Sequence, residues 1–289
     1  MLGKLFKYDF KALNRTMLPL QGGVLLAGVV GSLLVRLGFS SINTSVNTAL
    51  SPYASAAFPI ESLLLLVSTL LSFVFYTAII ASYWVTLFLV ARHFYQSMLK
   101  DEGYLSMTLP VTVGQSLLSK TFAGSLWLLI NQAILIISFF LFIVVGFASV
   151  GPISPPVVET FQEIGGEISN VPGVILMIEL IALSLLTVVH AVTQINTSLT
   201  IGASLAQTHK VLAAIGIFVA INMGMQTIMS ILMFIVGTAV DNSNLVYSQY
   251  DWFYIMQAFI LPPLIIFAAL AVIYFFVSRH LLQTKLNLE

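Results

Sequence analysis

The chain has 289 residues, of which 59% are hydrophobic and 8% are charged. Soluble domains carry roughly a quarter charged residues, so an ordinary water-soluble globule is excluded. Lys plus Arg and Asp plus Glu balance at 11 each, which leaves no basic surplus for nucleic acid, and the absence of cysteine excludes disulfides, thiolate metal sites and cysteine catalysis.

At the N-terminus, residues 2–14 are predicted as an amphipathic helix. Leu2, Leu5, Phe6, Phe10 and Leu13 recur at helical spacing and make one apolar face, with Lys4, Lys7 and Lys11 off it. This is the pattern of a helix lying in the membrane plane, here residues 1–16. A crossing needs about 20 apolar residues, and six stretches qualify: 18–37, 58–90, 117–150, 174–199, 211–240 and 253–277. The expected fold class is therefore an all-α membrane protein, a single transmembrane domain over residues 1–289 with six transmembrane helices.

The first stretch carries Gly23, Ala27 and Gly31 at intervals of four. Small residues let helices approach closely in lipid, so this stripe serves either a subunit interface or packing inside one chain. Arg36 lies near the outer end of the same stretch, Glu61 near the outer start of the second, and Glu179 about two turns into the fourth. Intramembrane charge is costly, so Arg36 is expected to pair with one of the two glutamates. That pair is either structural or a gate and substrate contact at the outer mouth.

The second and third stretches exceed the hydrocarbon thickness and are expected to project beyond it. Between them, Asp101-Glu102-Gly103 marks a turn, Pro110 stops the preceding segment, and Thr112 with Gln115 forms a capping-box pattern at the start of the third helix. The fourth stretch ends HAVTQINTSLTIGASLAQTHK, too polar for lipid; it must face protein or water, as must Asn222 and Gln226 on the fifth. His190, deep in the fourth, is expected to hydrogen-bond between helices, with a proton-relay or substrate role as the alternative. Most prolines fall at stretch ends or in loops, Pro19 among them, whereas Pro262 and Pro263 are expected to kink or break the sixth helix. Tyr53, Phe58, Tyr250, Trp252, Phe253 and Tyr254 fit an interfacial aromatic belt. Glu159, Glu163 and Glu167, at helical spacing, make either a short acidic helix over the outer loop or a solvated face.

Charge orients the chain. Ten of the 11 basic residues lie before the first stretch, between the second and third or at the very start of the third (Lys120), between the fourth and fifth, or after the sixth, and only Arg36 lies elsewhere. Short cytoplasmic loops retain Lys and Arg, so both termini and the loops 92–116 and 200–210 are expected in the cytoplasm and the chain in the plasma membrane.

Two stretches, GKLFKYDFKALNRTMLPL and FYQSMLKDEGYLSMTLPVTVGQSLLSK, resemble permease subunits of the type-2 ABC exporter superfamily, in particular the short six-span Firmicute-type permeases. The resemblance implies one membrane half of a dimeric exporter, working by alternating access with a second permease copy and a separate ATP-binding subunit. It implies an elbow helix at residues 2–15, including Lys4, Phe6, Lys7, Phe10 and Lys11. It also implies a coupling element within 101–116, including Asp101, Glu102, Gly103, Tyr104, Leu105, Thr112 and Gln115. Gln207, His209 and Lys210 are expected as a second contact for the ATPase. The chain has no GxxxxGK[ST] phosphate loop and no HExxH zinc motif. It is therefore expected to be no enzyme and to bind no cofactor itself, with ATP and Mg held by the partner subunit. Peptides, lipids and amphipathic small molecules all suit the apolar path. The competing readings are an ion-gradient-driven secondary transporter, which would want midplane carboxylates and an internal repeat that the sequence does not show, and a non-transporting membrane scaffold or sensor.

Overall fold

In hydrocarbon every backbone N–H and C=O must be satisfied within its own segment, and a long apolar chain meets that demand as helix. The computed structural model describes residues 2–49, 60–100, 111–149, 162, 165–166, 171–206, 208–242 and 251–284. Six long helices follow one another: α1 (Leu2–Ala49), α2 (Ile60–Met98), α3 (Val113–Ser149), α4 (Val171–Leu205), α5 (Lys210–Asn242) and α6 (Asp251–Thr284). All six are long and apolar enough to cross a membrane. The chain is a multi-pass, all-α membrane protein.

Each helix outruns its sequence-based estimate, the shortest having 33 residues. Two expected discontinuities are absent. The N-terminal amphipathic segment does not end at residue 16 but continues into the first span as the single helix α1, with Pro19 inside it. A proline withholds one N–H, here from the carbonyl of Arg15; both residues are exposed, so that carbonyl can be satisfied from outside the helix. Likewise α6 runs unbroken through Pro262 and Pro263. Contacts to α4 on both sides of the prolines hold it: Gln257 bonds Glu179 before them, and Ser278 bonds Thr197 after them.

The chain forms two compact units. The first comprises Met1–Leu13, Phe88–Leu126 and Ile164–Glu289; the second comprises Asn14–Leu87 and Trp127–Glu163. In the first unit α4 is central, and its polar C-terminal half is almost wholly buried from Val192 to Ser198. Only four residues separate α4 from α5, a connection too short for anything but antiparallel neighbours. At that turn Gly202 lies so close to α5 that an added Cβ would meet the backbone N of Ala214 at 2.6 Å. Gly124 of α3 does the same for Val90 and Val192, whose methyls occupy its missing side chain.

The second unit is held by Val24 of α1, Ile79 of α2 and Ile134 of α3, with Ala27 and Tyr76 packed against them. Gly28 abuts Ser138, and Gly31 meets the Cβ of Phe75 at 3.2 Å from where its own Cβ would lie. The small-residue stripe therefore divides. Ala27 and Gly31 pack within the chain, while Gly23 faces open space.

Candidate functional site

The predicted coupling segment springs from the first unit. Of its named residues, Asp101, Glu102, Gly103, Tyr104 and Leu105 lie outside the described residues, as does Gln207. The root of the segment is described on both sides. On one side α2 closes with Leu99 N–H and Lys100 N–H donating to the Tyr95 carbonyl at 3.0 and 3.2 Å. On the other, α3 opens with the capping box: Gln115 N–H donates to Thr112 Oγ1 at 3.3 Å and Thr112 N–H donates to Gln115 Oε1 at 3.4 Å. Two helix-end donors that would otherwise be orphaned satisfy each other's side chains.

Beneath this root sits a dense apolar cluster of Phe94, Met98, Leu99, Leu117 and Leu282, joined by Leu199 and Ala203. The ends of α2, α3, α4 and α6 meet there. Ser116 adds a weak hydrogen bond to the Met98 sulfur at 3.5 Å.

Beside the cluster lies a buried ionic site. Asp9, on the N-terminal turns of α1, is 7% exposed and accepts hydrogen bonds from Lys120 Nζ at 2.9 Å and from the Ser119 hydroxyl. His93 of α2 places Nε2 at 3.5 Å from the same carboxylate. Lys120 is itself 7% exposed. A buried carboxylate survives only with compensating charge and donors, and here α3 supplies both from adjacent positions. Composition gave no warning of this site. Lys120 reads in the sequence as one more cytoplasmic cation, His93 as an interfacial side chain, and Asp9 as one acid among lysines.

The elbow residues divide accordingly. Lys4, Lys7 and Lys11 are exposed, while Phe6 and Phe10 are half-buried with ring centroids 5.9 Å apart. The turns carry Asp9, Leu13 and Met17 inward, so this end of α1 is anchored by a charge as well as by an apolar face. His209 is exposed and its carbonyl accepts from Ala213 N–H at 3.0 Å; Lys210 follows, half-buried, as the first residue of α5.

The polar tract of α4 faces protein, as its composition requires. Asn196 donates to Thr121 of α3 at 3.2 Å, and Thr197 sits 2.8 Å from Ser278 and 2.9 Å from the Tyr274 carbonyl of α6. His190 differs from expectation. Its ring lies against Phe267 and Tyr274, with centroids at 4.9 and 5.5 Å, and Nε2 has no hydrogen-bond partner among the described residues. Asn222 and Gln226 are both exposed on α5, and Asn222 donates to its own helix at the Phe218 carbonyl, 2.9 Å away. Local back-bonding of this kind satisfies a polar side chain that has no neighbouring helix.

Of the three intramembrane charges, Arg36 is exposed and the side chain of Glu61 lies outside the described residues. Glu179 accepts a hydrogen bond from Gln257 of α6 at 2.8 Å through Oε1, and its Oε2 is buried without a partner among the described residues. The loop glutamates 159, 163 and 167 also lie outside the described residues.

The second unit has a polar centre that sequence reading passed over. Asn131 of α3 donates to Gln21 of α1 at 3.0 Å and to Ser82 of α2 at 3.1 Å, and Gln21 donates to Thr86 of α2 at 3.2 Å. Each of the four is at most 4% exposed. The only available signal was isolated amides within apolar stretches, which in lipid must find one another. No family model matches the chain, and no curated protein and no solved structure is significantly similar to it.

Proposed function

We propose that this protein is the permease subunit of an ATP-driven exporter of the plasma membrane, working with a second permease copy and a separate ATP-binding subunit that docks at the segment between α2 and α3. One observation carries this reading. The root of that segment is set in a packed base where the ends of α1, α2, α3, α4 and α6 meet, through the Phe94 cluster and the Asp9–Lys120 ion pair. A force applied at residues 101–110 has a stiff base to act on, because close-packed interiors transmit strain rather than absorb it.

The motor must come from elsewhere, since the chain has no phosphate loop. In this reading ATP-driven closure of the partner displaces the 101–116 element, and the long helices carry the displacement into the membrane. Mild-detergent purification of the tagged chain from its native cell is the test. A stoichiometric protein with a phosphate loop is expected to co-purify, and to be lost when residues 101–105 are replaced by a Gly-Ser linker. Purification of the chain with no ATPase under conditions that preserve its folding would overturn the proposal.

A further inference from the structure

Glu179 stands out among the polar groups of the first unit. It lies nine residues into α4, about 12 Å from the helix start at 1.5 Å per residue. Its Oε1 takes the Gln257 amide at 2.8 Å, while Oε2 is buried and receives no hydrogen bond from the described residues. An unmet acceptor of this kind in an apolar segment calls for a donor or a cation from beyond the described residues. Gln257 holds the carboxylate against α6 and so fixes where the second oxygen sits.

Two further features bear on what that partner is. Around the carboxylate, α4 and α6 turn large apolar side chains outward: Ile175, Ile178, Tyr254 and Met256 are all exposed. The outer loops of the sequence, meanwhile, carry Glu159, Glu163, Glu167, Asp241 and Asp251 and no Lys or Arg. Negative charge at that surface concentrates cations. A cationic head with an apolar body meets all three conditions: a donor for Oε2, a lipid-facing apolar surface for the body, and attraction to the outer surface.

We infer that Glu179 and Gln257 form an intramembrane binding site for the primary-ammonium head of an amphipathic molecule, whose apolar body lies along α4 and α6. That such a molecule is the exported cargo rests on the function proposed above; the binding site does not. The ammonium donates to Oε2, and the surrounding low dielectric strengthens the charge-assisted bond.

The test uses the full chain in phosphatidylcholine nanodiscs and labelled dodecylammonium, with empty nanodiscs as background. Saturable binding is expected, competed by unlabelled dodecylammonium but not by dodecanol or dodecyl sulfate. Glu179→Gln retains an oxygen for Gln257 and should fold, yet lose about tenfold or more in affinity, as removal of a desolvated charge pair does. Glu179→Asp should recover part of it. Equal competition by dodecanol, or unchanged affinity in Glu179→Gln, overturns the site and leaves Glu179 with a structural hydrogen bond only. The export reading fails separately. Saturable binding without a co-purifying ATPase keeps the site and removes the exporter, whereas a co-purifying ATPase without binding does the reverse.

Discussion

Asp9 shows how one acid can decide the placement of a whole segment. Its carboxylate accepts hydrogen bonds from Lys120 and Ser119 of α3 and lies 3.5 Å from His93 Nε2 of α2. Removing one member of such a buried pair strands the other charge, at a cost of about 3–5 kcal/mol, whereas replacing both with apolar side chains is often close to neutral. Lys120→Met is therefore expected to lower the apparent melting temperature of the purified chain sharply, and Asp9→Leu with Lys120→Met to recover most of the loss. A double variant no better than the single would show that the pair is not what anchors α1. Asp9 is more than 80 positions in sequence from each of its partners, and nothing in the local pattern at Asp9 points to them. The capping box is the opposite case: Thr112 and Gln115 were legible because their interaction spans three residues and one helix start.

At the scale of elements, glycines separate close packing from open lipid-facing surface. Gly202 and Gly216 sit on the paired helices α4 and α5. A Cβ at Gly202 would lie 2.6–2.7 Å from Ala214 N, Cα and Cβ, whereas nothing lies within 4 Å of a Cβ at Gly216. Backbone cannot yield as a side-chain tip can, so Gly202→Ala must push the helices apart, an overpacking cost of about 1–3 kcal/mol. Gly216→Ala meets no obstacle and should stabilise by about 0.5–1 kcal/mol through helix propensity. Thermal unfolding of the two variants should thus move in opposite directions; a shared direction would refute the α4–α5 packing. The polar tract of α4 was readable as protein-facing because its composition is locally incompatible with lipid. Of the kink or break expected at Pro262 and Pro263, the break does not occur. An interior proline removes a hydrogen bond and crowds the carbonyl four residues back, and the neighbouring helix that carries α6 past it is invisible to the local sequence.

For the whole molecule, the charge asymmetry makes a sharp statement about orientation. Lys100, exposed at the end of α2, and Lys210, at the start of α5, both belong to the basic side. In sealed cells each, replaced by cysteine in this cysteine-free chain, should resist an impermeant maleimide and react only after permeabilisation. Labelling of either in intact cells would invert the topology and move the proposed docking surface to the exterior. The six spans themselves stand on length and apolarity, which is why the sequence alone is enough to count them.

The sequence by itself determined the solvent, the number of spans and the side on which basic charge accumulates, because each depends on sums over contiguous residues: hydrophobic length, helix propensity and loop charge. Only the tertiary structure decided which polar groups meet. That Asp9 finds Lys120, that Asn131 bridges Gln21 and Ser82, and that Glu179 meets Gln257 all follow from helices brought together from distant parts of the chain. Such pairings are set by packing register between helices, a property that no window of the sequence contains.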